Sequence, residues 1–242
     1  MRTMGQSDNI YDQIRELLGE FHGGLAVLEQ QIDIDVQMEY YDCNQSITNE
    51  KEPIDILQAQ ELLFLHDTAT AIKKQLLARL ANIATIESYR LIEKFVRKGD
   101  KDLHDWAVLA LQENKLLLES SLLDENKILI STGLGGKGLK LRYFTVLTTL
   151  TGRHFSDFER KLVKNELYAI LGKCQAEPET IHFDRELCRI VSVIPLKVPI
   201  QKLFDNLIVD CNVFGDFLNP DFLITNVRIL SGRQIRAMMK LG

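Results

Sequence analysis

The hydrophobic period of this chain changes once, near residue 124, and that change limits the possible folds more than any other feature. From Ile54 to Ser120 the apolar residues recur at helical spacing throughout. After Asp124 the segments KILIST and LKLRYFTVLTT are short, β-branched and aromatic, which is typical of strands. Helices followed by strands predict an α+β fold rather than alternating βα units.

An internal repeat organises the helical half. The segment IKKQLLARLANI, which begins at Ile72, aligns with LHDWAVLALQEN, which begins at Leu103, at an offset of 31 residues. The same offset places Phe64 on Phe95 in the preceding helix. Each repeat unit is therefore predicted to be two helices, and the turn KGDKD joins the helices of the second unit.

This pattern resembles the short form of the HEAT-like helical repeat. The matching residues lie in the turn and along the second helix: Asp100, Asp102, Leu103, Ala107, Ala110 and Leu111. The resemblance implies an extended surface for protein partners, and a cap on each side of the two units. Together with the segment ISTGLGGKG…KLRYF, the repeat is also similar to a bacterial protein family to which no activity is assigned.

The N-terminal segment is predicted to be a helix from residue 8 to about residue 40. Apolar residues from Tyr11 to Ile32 alternate in steps of three and four, the spacing of a coiled-coil seam, although Gly23 and Gly24 interrupt it. The seam either packs on its own domain or forms a homodimer, and both alternatives stay open. The polar stretch YDCNQSITNEKEP then predicts an acidic linker. The predicted domains are 1–53 (helix and linker), 54–124 (repeats) and 125–242 (α+β sheet domain).

The sheet domain reads β-β-α-β-β-α-β, with capping boxes at Ser156–Glu159 and Ser231–Gln234 that begin a long and a short helix. Two arrangements fit an antiparallel sheet with two helices on one face. A duplicated ββα unit places the KILIST strand beside the Arg142 strand and is preferred. A ferredoxin-like order is the alternative, and it leaves no position for KILIST in the sheet.

The glycine-rich segment GLGGKGLKLR is the one candidate ligand site. A phosphate loop of the Walker type needs a helix after the glycines, but a strand follows here, and the dinucleotide pattern G-x-G-x-x-G fails for the same reason. A β-hairpin turn is therefore favoured, with anion binding as the alternative. The candidate ligand-binding residues are Gly133, Gly135, Gly136, Lys137, Gly138, Lys140 and Arg142.

The histidines and cysteines do not predict a catalytic or metal site. The five histidines and four cysteines lack metal-ligand or redox spacing, so we expect no catalytic set, no metal and no cofactor. No apolar run approaches the roughly 18 residues of a membrane span. We therefore expect a cytoplasmic, non-enzymatic protein-interaction or scaffold protein. The first alternative function is a domain that binds a small molecule or an anion at the Gly133–Gly138 loop, with or without enzymatic activity. RNA binding through Tyr143 and Phe144 is the second, and nucleic acid is not the expected partner.

Overall fold

The computed structural model describes residues 24–47, 54–123 and 127–240. The described chain divides into two compact units. A helical unit contains the described residues up to Ile130, except 29–31. A sheet unit contains residues 29–31 and the described residues from Ser131 onward.

Five described helices build the helical unit. Local signals set their ends: Asp55 accepts hydrogen bonds from the first turn of one helix, and Thr85 does so for another. The helices are α1 (Ile34–Ile47), α2 (Ile56–Phe64), α3 (Thr70–Ala81), α4 (Ile86–Lys98) and α5 (His104–Leu123). Two hairpins, α2–α3 and α4–α5, match the predicted pairs of helices.

The two hairpins pack on each other, since α2 contacts α4 and α3 contacts α5. The 31-residue offset also predicts that Leu80 and Leu111 are equally buried. Leu80 is fully buried, whereas Leu111 only packs partly against the core. The side chains of Trp106 and Asn114 donate hydrogen bonds to α3 carbonyls 32 and 34 residues earlier, which joins α5 to α3.

The predicted helix from residue 8 to 40 is wrong over residues 24–33 and confirmed over residues 34–40. Gly24–Val27 is a strand, β1, which pairs in parallel with β2 (Lys127–Ile130). The helix α1 begins only at Ile34 and continues to Ile47, inside the predicted linker. Non-local pairing with β2 thus overrides the local helical period after the two glycines. Most of the Tyr11–Ile32 seam proposed for a homodimer lies outside the described residues.

The described elements of the sheet unit are β3 (Gly136–Lys137), β4 (Lys140–Thr148), α6 (Asp157–Lys173), β5 (Glu177–Asp184), β6 (Leu187–Pro195), α7 (Ile200–Asn212), β7 (Leu223–Thr225) and α8 (Gly232–Met239). Its strands form an antiparallel sheet with the order β7-β4-β6-β5, and β3 pairs with β4 on the same side as β7. The order is that of the ferredoxin-like alternative. The preferred duplicated ββα arrangement is wrong, because β2 pairs with β1 and not with β4.

Both faces of this sheet are used for packing. The helices α6 and α7 contact each other on one face, where Cys188 of β6 lies near Cys211 of α7. On the opposite face Phe144 belongs to a buried cluster with Ile235 of α8. The two predicted capping boxes are confirmed, at Ser156 for α6 and at Ser231 for α8.

Candidate functional site

The glycine segment forms the predicted β-hairpin turn. Lys137 of β3 pairs with Lys140 of β4, and Gly138 and Leu139 are the two turn residues. Gly138 has a φ of 59°, the positive value that the first central residue of a type II′ turn requires. The hairpin prediction is therefore confirmed, although its first strand is the short β3 rather than KILIST.

Close backbone packing explains two further glycines. A Cβ atom on Gly133 would lie 1.8 Å from the carbonyl oxygen of Val227. A Cβ atom on Gly135, whose φ is 66°, would lie 2.4 Å from the carbonyl oxygen of Gln30. These positions need glycine because two other backbone segments of the sheet unit approach them. The excess of glycines thus has a packing reason that requires no ligand.

The backbone donors of this loop already have acceptors within the protein. The N–H of Gly138 donates to the Glu29 carboxylate at 2.9 Å, and the N–H of Gly136 donates to the Glu29 carbonyl at 3.3 Å. The N–H of Gly135 donates to the carbonyl of Thr132 at 3.0 Å. An incoming anion would have to replace these bonds, including one to a carboxylate of the same chain.

The three cations predicted to bind an anion also face carboxylates. Lys140 lies 2.8 Å from Glu177, and Lys137 lies 3.7 Å from the same side chain. Arg142 donates two hydrogen bonds to Glu179, and a third, at 2.6 Å, to a loop carbonyl. The pairing with Lys140 lowers the pKa of Glu177, and the pairing with Arg142 lowers that of Glu179. The loop therefore brings all seven predicted residues together in a charge-balanced cluster.

The aromatic pair considered for base stacking is covered. Tyr143 is 5% exposed and Phe144 is 2% exposed. Stacking on a nucleic-acid base requires an open ring face, which neither side chain offers.

A second cluster, in the helical unit, was missed in the sequence. The helix α1 lies against α3 and α5. Its Val36, Tyr40, Cys43 and Ile47 pack into the core of the unit at steps of four, three and four residues. Met38, on the opposite side of α1, is 61% exposed. This is the arrangement of an amphipathic helix that rests in a groove through spaced anchors.

Aromatic and charged contacts hold the middle of α1. The rings of Tyr40 and Trp106 meet edge to face with centroids 5.2 Å apart. The Lys74 ammonium lies 4.5 Å from the centroid of the Trp106 ring and 2.6 Å from the Glu39 carboxylate. One lysine thus makes a cation–π contact and an ion pair at the same time.

Glu113 of α5 accepts hydrogen bonds from two side chains of α1, the Tyr40 hydroxyl and the Asn44 amide. Asn82, just after α3, donates in turn to the Asn44 side chain. Burial raises the pKa of Glu113, and the two hydrogen bonds partly oppose that rise. Burial and Glu113 together raise the pKa of Tyr40 well above its usual value, so its hydroxyl remains a donor. Among the described residues no cationic side chain pairs with Glu113.

The two helices beneath α1, α3 and α5, are joined to each other by bonds that do not involve α1. The Trp106 indole donates to the Lys74 carbonyl at 3.1 Å. The Asn114 amide donates to the carbonyls of Leu80 and Ile83 at 3.0 and 2.8 Å, where α3 ends. We call the set Lys74, Asn82, Trp106 and Glu113 the α1-binding surface. These bonds tie α5 to α3 at two places, near Lys74 and at the end of α3.

The comparisons with known proteins give no family. No protein-family model matches the chain, and no curated protein matches it significantly. The HEAT-like resemblance therefore stays a prediction. None of the described helices is long and apolar enough to cross a membrane. Within the described ranges no group of three His, Cys, Asp or Glu side chains is placed to hold a metal ion.

Proposed function

We propose that this protein is a non-enzymatic protein-interaction module whose α1-binding surface accepts an amphipathic helix from a partner in exchange for α1. The observation that carries the proposal is the way α1 itself is held, by anchors at helical spacing in a groove between α3 and α5. Helix-in-groove contacts of this kind are a common mode of peptide recognition.

The character of the contact supports exchange. The ion pair between Glu39 and Lys74 lies at a partly solvated edge, since the Glu39 side chain is 58% exposed. Such a pair is replaced at low cost by a similar contact or by water. The buried bonds from Tyr40 and Asn44 to Glu113 can be made again by a partner helix that carries the same donors. The bonds from Trp106 and Asn114 keep the groove formed when α1 leaves.

Because α1 is tethered to the groove by the chain, a free helix has to compete with it for the same surface. Because α1 belongs to the same chain, its effective concentration at the groove is on the order of millimolar. A free helix binds only the fraction of molecules in which α1 has left, and its apparent dissociation constant rises in proportion. A substitution that weakens α1 should therefore strengthen binding of a helix added in trans.

The test is a titration of the full-length chain with a peptide of residues 33–47. The peptide is held helical by a crosslink between its exposed positions 38 and 42. In the chain, Tyr40→Ala removes one aromatic contact and one hydrogen bond to a carboxylate, together worth about 2–4 kcal/mol. We expect this variant to bind the peptide at least about tenfold more tightly than the unsubstituted chain. Trp106 is the single tryptophan of the chain, and its emission reports when a tyrosine covers it again.

Tyr41→Ala is the matched control, since Tyr41 is 60% exposed on the other side of α1. It should bind the peptide as weakly as the unsubstituted chain does. Ile47→Ala, which weakens the other end of α1, should act as Tyr40→Ala does, and circular dichroism verifies that both variants are folded. Equal binding by all four chains, or none at about 1 mM peptide, would contradict the proposed function.

A further inference from the structure

We infer that the α1-binding surface selects its partner by polar contacts, accepting an acidic amphipathic helix that carries a tyrosine directly after a glutamate or aspartate. The inference rests on the proposed function and names the chemistry of the partner. The juxtaposition that supports it is Glu113 under the hydroxyl of Tyr40, beside Lys74 under the carboxylate of Glu39.

The first selecting contact is the hydrogen bond to Glu113. This carboxylate is largely buried beneath α1, and among the described residues its acceptor oxygens are served by Tyr40 and Asn44. A helix with phenylalanine in place of the tyrosine fills the same space against Trp106 but leaves one oxygen of Glu113 without a donor. A buried polar group without a partner is costly, so a site built to bond a hydroxyl rejects the analogue that lacks it.

The second selecting contact is the pair between Lys74 and Glu39. Lys74 is held over the Trp106 ring, so its ammonium is positioned before any partner arrives. Its side chain is 25% exposed, which places the pair at the rim of the groove. Rim ion pairs add specificity and association rate more than affinity, and salt weakens them. A glutamine at this position should therefore bind only a few-fold more weakly, and the difference should shrink as salt is added.

The positions of α1 give the sequence pattern of the partner. Relative to the tyrosine, a carboxylate comes one residue before, an apolar residue three after, an amide four after and an apolar residue seven after. In this chain these are Glu39, Tyr40, Cys43, Asn44 and Ile47. Steps of three, four and seven place all the apolar positions on one side of a helix.

The experiment compares crosslinked peptides of residues 33–47 on the full-length Tyr40→Ala chain, in which the tethered helix is weakened. A peptide with Tyr40→Phe should bind about 10- to 100-fold more weakly than the parent peptide, as expected for loss of a hydrogen bond to a charged group. The peptide with Tyr41→Phe is the matched control and should bind as the parent does. In a chain that also carries Glu113→Leu, no carboxylate needs a donor, and the preference for tyrosine over phenylalanine should vanish.

The outcomes separate this inference from the proposed function. If the tyrosine and phenylalanine peptides bind equally tightly, the surface does not select for the tyrosine hydroxyl. The inference is then overturned, while the proposed function stands. A preference for tyrosine that survives Glu113→Leu would also overturn it, because another group would then read the hydroxyl. If the parent peptide does not bind, the proposed function itself fails.

Discussion

Replacing Gly133 with alanine tests the explanation of the glycine loop most sharply. The new Cβ atom would lie 1.8 Å from the carbonyl oxygen of Val227 and 2.8 Å from its carbonyl carbon. Real Cβ atoms do not approach backbone atoms so closely, so one of the two segments has to move by more than 1 Å, as judged from a van der Waals separation of about 3.5 Å. Backbone segments cannot swing aside as the end of a flexible side chain can.

The cost follows from what that movement disturbs. Overpacking of a well-packed site costs about 1–3 kcal/mol. The displaced loop also stretches the hydrogen bond from the N–H of Leu134 to the carbonyl of Asn226, which measures 2.9 Å and is worth about 1 kcal/mol. A total loss of about 3 kcal/mol lowers the melting temperature by about 6–12 °C in a chain of this length.

Differential scanning calorimetry of purified chains measures the change, and the transition that contains the sheet unit is the one that should shift. Gly172→Ala is the matched control, because Gly172 lies inside α6 and no atom is within 4 Å of its added Cβ. That substitution should stabilise the chain by about 0.5–1 kcal/mol through helix propensity. If Gly133→Ala melts within 1 °C of the unsubstituted chain, the packing explanation is refuted, because a loss of about 3 kcal/mol of stability would lower the melting temperature by several degrees.

Three further predictions concern charge and burial. The hydrogen bond from Arg153 lowers the pKa of Glu159 to about 2. The pair therefore stabilises the fold at pH values above the unfolded-state pKa of about 4.3, and this stabilisation is lost as the pH falls toward 2. Glu159→Gln should lower the melting temperature at pH 7 and leave it unchanged near pH 2. Because carboxylates face the cations of the glycine loop, phosphate, sulfate and nucleotides should not raise the melting temperature; a rise that Lys137→Ala abolishes would restore the anion-binding alternative. Leu77 is fully buried, and Leu77→Ala should cost about 2–5 kcal/mol in urea unfolding, where a cost below 1 kcal/mol would contradict the described core.

Local signals were enough to predict a large part of the sheet unit. The helix α6 begins directly after Ser156 because the Ser156 hydroxyl and Glu159 close a capping box, and both residues lie within four positions at the start of the helix. The same holds for Ser231 at α8. The β-branched run from Lys140 predicted β4 because its period is a property of nine consecutive residues.

Contacts between distant residues could not be predicted in this way. The pairing of β1 with β2 joins segments about one hundred residues apart, and the helical period around Leu25 gave no sign of it. The approach of Val227 to Gly133 likewise depends on the fold, although the surplus of glycines was a visible signal. The α1-binding surface was missed because Tyr40 and Glu113 are 73 residues apart. The steps of four, three and four from Val36 to Ile47 were the signal that could have revealed α1.

Hydrogen exchange of the α1 amides tests the central claim most directly. The full-length Tyr40→Ala chain is incubated in heavy water with and without an isotope-labelled, crosslinked peptide of residues 33–47, and mass spectrometry follows each helix separately. If the peptide displaces α1 from the groove, the amides of Ile34–Ile47 should lose their protection from hydrogen exchange as the peptide binds. The amides of α3 and α5 should stay protected. Peptide binding that leaves the protection of α1 unchanged would contradict the account, because the peptide would then occupy another surface.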